Sequence, residues 1–245
     1  MPTAIATVAE LFLYPVKSMA GISVPEAHVG LDGILGDRLY SFVQAGKAAR
    51  SSFPWMTGRE SSRMILYKPQ FAQAPTPDQP EPPVKVRTPD AAVLDADDPA
   101  LCEELASKTG HAMFLLKSAR GIFDCQHISV FSLASVRGLA AEAGCPIDRR
   151  RFRANVFVEP ASGQAFDEEQ WTRCMLQIGD EVLIAVTQRD SRCMMVNLDP
   201  DSGQQNPRVL KTIAQGHQGQ AGIYANVVRP GVIRVGDSIQ RVSNL

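Results

Sequence analysis

The spacing of turn signals constrains this chain more than any other feature. Its apolar residues come in short runs, and nearly every run is closed by glycine, proline or an Asp-rich turn. Ile5 to Val16 reads as a strand that ends in Tyr14-Pro15-Val16-Lys17-Ser18, because proline fixes φ and has no N–H for a ladder. Asp37 to Val43 alternates as a half-buried strand does, with Gly46-Lys47 predicted as its hairpin. Arg63 to Tyr67 is predicted as a strand, Pro69 to Pro83 as a mobile proline-rich surface loop, and Val84 to Arg87 as a strand with Ala92 to Leu94 pairing back. After Arg151 the pattern is β again, over Asn155 to Glu159, Met175 to Ile178, Glu181 to Val186 and Tyr224 to Val242. Two Gly-Asp turns, at Gly179-Asp180 and Gly236-Asp237, suit tight turns in a closed or strongly curved sheet.

Helix signals are few and local. Asp98-Pro99 offers an N-cap and a first-turn proline, with a stop at Gly110. Ser132 offers the N-cap of a second helix that ends at Gly144, and Asn206-Pro207 starts a third. The expectation is an α+β, mainly β, barrel-like architecture with a few short helices.

At 245 residues and 44% hydrophobic, the chain has material for a real core, in one large domain or two small ones. A net charge of -1 gives no global field of the kind that drives nucleic-acid or membrane-surface binding, so an anionic ligand needs a local cluster. No apolar run approaches the roughly 20 residues that span a bilayer, and no cationic region precedes an apolar N-terminal run; a cytoplasmic location is expected. Five scattered cysteines without a Cys-x-x-Cys pair argue against a disulfide framework or a structural zinc site. The four histidines fall in separate segments, which gives no support to a catalytic zinc or a serine-type triad.

Chemistry points to Asp190-Ser191-Arg192-Cys193, at the end of the apolar run Val182 to Val186 and before the turn Asp199-Pro200-Asp201-Ser202-Gly203. Arg192 and Arg189 place positive charge near the Cys193 thiol, which suits a nucleophile or a soft-metal ligand; the plain alternative is a small buried apolar residue. Lys17, Arg38, Arg59, Arg153 and Arg192 sit at strand ends or turns and would make a phosphate site only if the fold brings them together.

Taken in order, several motifs resemble the MOSC-domain proteins that carry an N-terminal β-barrel domain, the group that includes the mitochondrial amidoxime reducing component. They are Tyr14-Pro15-Val16-Lys17-Ser18, Asp37-Arg38, Arg59-Glu60, Arg151-Phe152-Arg153-Ala154-Asn155-Val156, Phe166 to Trp171, Arg192-Cys193 with its Asp-Pro-Asp-Ser-Gly turn, Gly222-Ile223-Tyr224 and Val235-Gly236-Asp237. The resemblance implies an N-terminal MOSC-associated β-barrel domain over 1–120 and a MOSC domain over 121–245. It implies a molybdenum cofactor, with Cys193 as the protein's catalytic thiolate ligand to the metal. Lys17, Ser18, Arg38, Arg153, Asn155, Ser191, Arg192 and Tyr224 then match positions that contact the pterin and its phosphate. A weaker implication is that the helix N-terminus at Ser132 and Ser135 faces the same anion.

The implied reaction is two-electron reduction of a small N-hydroxylated or N-oxide substrate. With no Cys-rich iron–sulfur segment before Leu245, electrons are expected from a separate donor protein of the ferredoxin, cytochrome or flavin reductase type. Nucleic acid and membrane are not expected partners. Pyridoxal phosphate binding attaches to the family as a general term, with no residue of this chain assigned to it. Val196-Asn197 stand where the family's reductases commonly carry a threonine pair. Two rival roles use the same residues: a sulfur carrier with a persulfide on Cys193, and a protein that binds and delivers the cofactor without turnover.

Overall fold

The computed structural model describes residues 3–48, 50–125 and 127–244. Seven strands close on themselves: β1 (Ala4–Leu13), β2 (Ile128–Ser132), β3 (Val156–Pro160), β4 (Cys174–Ile178), β5 (Val182–Ser191), β6 (Gln220–Arg229) and β7 (Ser238–Asn244). They are ordered β3-β2-β6-β5-β4-β7-β1, and pairing of β1 with β3, Leu11 opposite Val156, completes the ring. Only the β2–β3 pair is parallel; the other barrel pairs are antiparallel. Closure gives each of the seven described strands a partner on both sides, so none is left as an open edge strand.

The strand sequences show why both faces are buried. Val130, Val156 and Val158 join Val8, Leu11, Leu176, Ile184, Val186 and Ile223 in one apolar cluster, while the alternate residues Phe12, Phe131 and Phe157 belong to another. That second cluster also takes Val136, Leu139, Val209 and Ile213, from the helices Leu133–Ala143 and Pro207–Gly216. Both helices begin where expected, with Ser132 accepting from Ala134 N–H (3.1 Å) and Asn206 from Arg208 N–H (3.2 Å). Asp98 caps the helix Pro99–Thr109 in the same way (2.9 Å).

The remaining strands form small sheets. Tyr40–Gln44 pairs with Met113–Lys117, and Lys68–Phe71, Val84–Arg87 and Val93–Asp95 make a three-stranded sheet. Phe42, Met56, Met64, Tyr67, Val84, Val86, Leu101 and Leu105 fill the core of this region. Glu26–Gly30 pairs with Gly231–Arg234, and β1 with β3 and β7, so strands from the first 34 residues are built into the C-terminal half across the expected division at 120.

Three local expectations change. Ser62–Leu66 is a 3-10 helix and the strand follows it, because one helical turn buries Met64 and Ile65 together. Pro69 lies within that strand opposite Val86, so the proline-rich loop begins after Phe71. Ala45–Ala48 is one helical turn, not a hairpin, and Tyr40–Gln44 finds its partner about 70 residues later. The Gly-Asp turns hold: Gly179 joins β4 to β5, and Gly236-Asp237 leads into β7.

Candidate anion and thiol site

A cavity of about 360 Å³ opens where the exit of β1, the segments around Arg38, Arg59 and Asp124, the Arg151–Asn155 turn and the ends of β5 and β6 meet. Lys17, Ser18, Arg38, Arg153, Asn155, Ser191, Arg192, Cys193 and Tyr224 all line it. Lys17, Arg38, Arg59, Arg151, Arg153 and Arg192 bring six cations to its wall, against the two carboxylates Asp124 and Asp190. Two thiols, Cys125 and Cys193, line this cationic pocket, and thiol and guanidinium groups together suit a ligand that carries both a soft metal and phosphate.

Each cation is held by its own supports. Arg38 is paired with buried Asp37 and donates to Arg153 C=O (3.2 Å) and Asn155 Oδ1 (3.4 Å). Burial is the largest influence and opposes its charge, but Asp37, Tyr14 and Tyr224 together outweigh it and hold the guanidinium above its ordinary pKa. Arg153 donates to Met19 C=O (2.7 Å), lies over the Tyr14 ring at 4.4 Å, and is pushed down by burial to about 10. Asn155 Nδ2 donates to Asp37 (3.0 Å) and Phe12 C=O (3.2 Å), which ties the two arginines to β1. Arg192 donates to Phe152 C=O (2.8 Å) and Ala221 C=O (2.7 Å) and meets Asp190 at 2.9 Å. Ser18, Arg38 and Arg153 each adopt positive φ, between 53° and 66°. Non-glycine residues in that region carry a cost of roughly 1–3 kcal/mol, and three at one cavity mark a backbone shaped for the pocket.

Asp190 and Tyr224 form the floor. Asp190 accepts from Ser129 Oγ (3.0 Å), and the Tyr224 side chain lies beside it on the cavity wall. Burial raises the Asp190 pKa against the pull of Arg192, and burial followed by the Asp190 charge raises that of Tyr224. Cys193 is partly exposed, at the start of the 3-10 turn Met194–Asn197. Arg151 holds that turn from behind, donating to Asn197 C=O (2.7 Å) and pairing with Asp199 (2.9 Å). Asn197 itself accepts from Leu210 N–H (2.9 Å) at the start of the neighbouring helix, and Val196 is buried in the second apolar cluster.

The helix N-terminus at Ser132 does not face this cavity's anion. Buried Glu168 occupies it, accepting from Ser132 N–H (3.3 Å) and Ser135 Oγ (2.8 Å). Sequence reasoning passed over Asp37, Asp190 and Arg151. Asp37 and Arg151 lie inside quoted motifs, but nothing in one dimension separates a positioning residue from a ligand contact. Among the described residues no three His, Cys, Asp or Glu cluster as metal ligands.

A closed β-barrel with a thiol at one strand end meets cations gathered from both halves of the chain. The chain belongs to the MOSC domain family: residues 117–240 match the MOSC domain and 5–100 the MOSC N-terminal beta barrel domain. It is 25% identical to mitochondrial amidoxime reducing component 2 of Bos taurus, over 97% of this chain and 84% of that one. A segment covering 37% of the chain is 37% identical to molybdenum cofactor sulfurase of Drosophila mojavensis, of which it spans 11%. The fold is also that of the YuaD protein from Bacillus subtilis, with a TM-score of 0.52 and 16% identity over the whole of both chains. No described helix is long and apolar enough to cross a membrane.

Proposed function

We propose that this chain is a molybdenum-cofactor-dependent oxidoreductase that reduces small N-hydroxylated or N-oxide substrates, with Cys193 as the protein's sulfur ligand. The observation that carries the reading is the meeting of Cys193, partly exposed at the end of a barrel strand, with six cations at a single cavity, whose wall also carries Cys125. The donor set fits the group: a soft thiolate for molybdenum, and guanidinium and ammonium groups for the pterin's phosphate. When bound, the cofactor supplies a two-electron redox centre for removing oxygen from an N–O bond.

The chain's own residues do the rest. Lys17, Arg38, Arg153 and Arg192 neutralise the anion, Ser18 and Ser191 supply hydrogen bonds around it, and Asn155, its amide N–H groups committed to Asp37 and Phe12 C=O, holds Arg38 in place. Arg151 keeps the Cys193 turn in place. Reduction of an N–OH group to N–H and water consumes two protons as well as two electrons. Tyr224, held protonated beside Asp190, is the hydroxyl at the cavity floor that can present one of them. A separate redox protein of the ferredoxin, cytochrome or flavin reductase type delivers the electrons.

The test is to load the protein with cofactor, measure molybdenum and pterin per chain, and assay benzamidoxime reduction with an artificial electron donor. Cys193→Ser and Cys193→Ala are expected to lose turnover to background with an unchanged melting temperature. Wild-type rates in loaded Cys193→Ala would overturn the ligand assignment. The local likeness to a molybdenum cofactor sulfurase supports a second reading, a sulfur carrier. Labile sulfane sulfur on Cys193 without metal would favour it, and bound pterin without turnover would favour a delivery protein.

A further inference from the structure

The carboxylates around this cavity, Asp124 and Asp190 on its wall and Asp37 behind it, are not equivalent. Asp37 and Asp190 are almost fully buried, and each has a partner besides the cavity cations, Tyr14 N–H for Asp37 and Ser129 Oγ for Asp190. Asp124 is different. Its side chain is 43% exposed, it lies between the strands Met113–Lys117 and Ile128–Ser132, and its two ion-pair partners are both cavity cations. One carboxylate oxygen meets Lys17 Nζ, and the other meets Arg59 Nη2 at 3.0 Å. Lys17 has a single further hydrogen bond, to Ile122 C=O (2.9 Å), with its ammonium near the Phe53 and Trp55 rings. Arg59 stacks over the same Phe53 at 4.6 Å.

We infer that Asp124 is an internal stand-in for a phosphate group, which the ligand's phosphate displaces to bind between Lys17 and Arg59. The inference rests on the anion-site reading above and deepens it by adding Arg59 to the phosphate contacts and giving Asp124 a competing role. A phosphate carries more negative charge and more acceptor oxygens than a carboxylate, so it satisfies both cations better than the bridge does. Releasing Asp124 costs little, because its exposed side chain moves into water. Lys17 cannot leave in the same way: it is 6% exposed and would be left buried and unpaired, which costs far more than a surface charge. The bridge therefore keeps Lys17 paired until an anion replaces it, and it sets a threshold that weak anions do not pass.

The probe is inorganic phosphate, titrated calorimetrically into cofactor-free wild-type protein, Asp124→Asn and Arg59→Gln at fixed ionic strength. Asp124→Asn is expected to bind phosphate about tenfold more tightly, the equivalent of about 1.4 kcal/mol. Arg59→Gln is expected to bind it several-fold more weakly. Crystals soaked in phosphate should show the Asp124 carboxylate turned away from Lys17. Equal or weaker binding by Asp124→Asn, with melting confirming its fold, overturns the inference; so does phosphate bound with the Asp124 bridge intact. Should Asp124→Asn fail to fold, Asp124→Ser takes its place under the same criteria. None of these readouts needs molybdenum or turnover, so failure of the reductase reading leaves them interpretable.

Discussion

The barrel and the region from Tyr40 to Lys117 are both mainly β, yet they hold together in different ways. The barrel is one closed sheet with apolar clusters on both of its faces. The N-terminal region is a pair of small open sheets over a separate core, edged by exposed ion pairs such as Arg63–Asp90 and Lys85–Asp95. The cavity draws on both. Arg153, Arg192, Cys193 and Tyr224 come from the barrel and its turns, while Arg59 comes from the other half and Arg38 from the segment that leads into it. The closed sheet thus carries the thiol, while the cationic wall is completed by Arg59 from the open sheets' half.

Two glycines with similar backbones measure that difference most strongly. Gly222 on β6 has φ +79°, and a Cβ there would sit 2.8 Å from the Phe131 ring, 2.9 Å from Val130 C=O and 3.1 Å from Arg192 Nη2. Gly110, closing the helix Pro99–Thr109, has φ +74° and nothing within 4 Å. Gly222→Ala is expected to cost about 2–4 kcal/mol, from strain plus overpacking, and to push Arg192 away from Asp190. Gly110→Ala is expected to cost about 1 kcal/mol, from strain alone. Denaturant unfolding checks both, and equal losses would break the distinction between a packed and an open half.

A smaller effect separates the halves by sign. Burial raises the pKa of Glu168, in the barrel half, above the ordinary glutamate range. Its stabilising contribution is thus complete below that range and is lost as pH rises through the raised value. In the other half burial also opposes the Glu60 charge, but hydrogen bonds from Thr57 and Lys47 outweigh it and lower the pKa. That contribution is present above the ordinary range and is lost as pH falls through the lowered value. Glu168→Gln should therefore remove a decline in stability on the alkaline side of the carboxylate range, and Glu60→Gln a decline on the acid side. Melting temperatures measured across pH would test this, and the same sign for both would refute it.

How much of this was legible in the sequence follows the range of the interaction. Ser132, Asp98 and Asn206 were readable as caps because each bonds a backbone N–H two residues away. The barrel strands were readable from apolar runs between turns. The barrel itself was expected, but the strand pairing that closes it was not readable, since Leu11 meets Val156 with most of the chain between them. Arg63 to Tyr67 misled because an apolar pair suits a helical turn as well as a strand. Glu168 at the N-terminus of the helix Leu133–Ala143 was invisible for a related reason: a capping group that arrives from 33 residues away leaves no local mark. Of the cavity, motif order supplied the lining, but only three dimensions show that Asp37, Asp190 and Asp124 meet those cations in different settings.

The smallest expected effect concerns the ion pairs that decorate the open half. Lys85 and Asp95 are direct cross-strand neighbours, 3.0 Å apart, with side chains 58% and 52% exposed. Their register is favourable, but water screens the attraction and two flexible side chains must be ordered to form it. Lys85→Ala should cost about 0.5 kcal/mol or less at low salt, and less again as ionic strength rises. Val84 and Val86, on the opposite face of the same strand, are buried and hold it to the core. A loss well above 1 kcal/mol would mean that this sheet depends on its charged face, and the contrast with the barrel would then be one of stabilising force as well as closure.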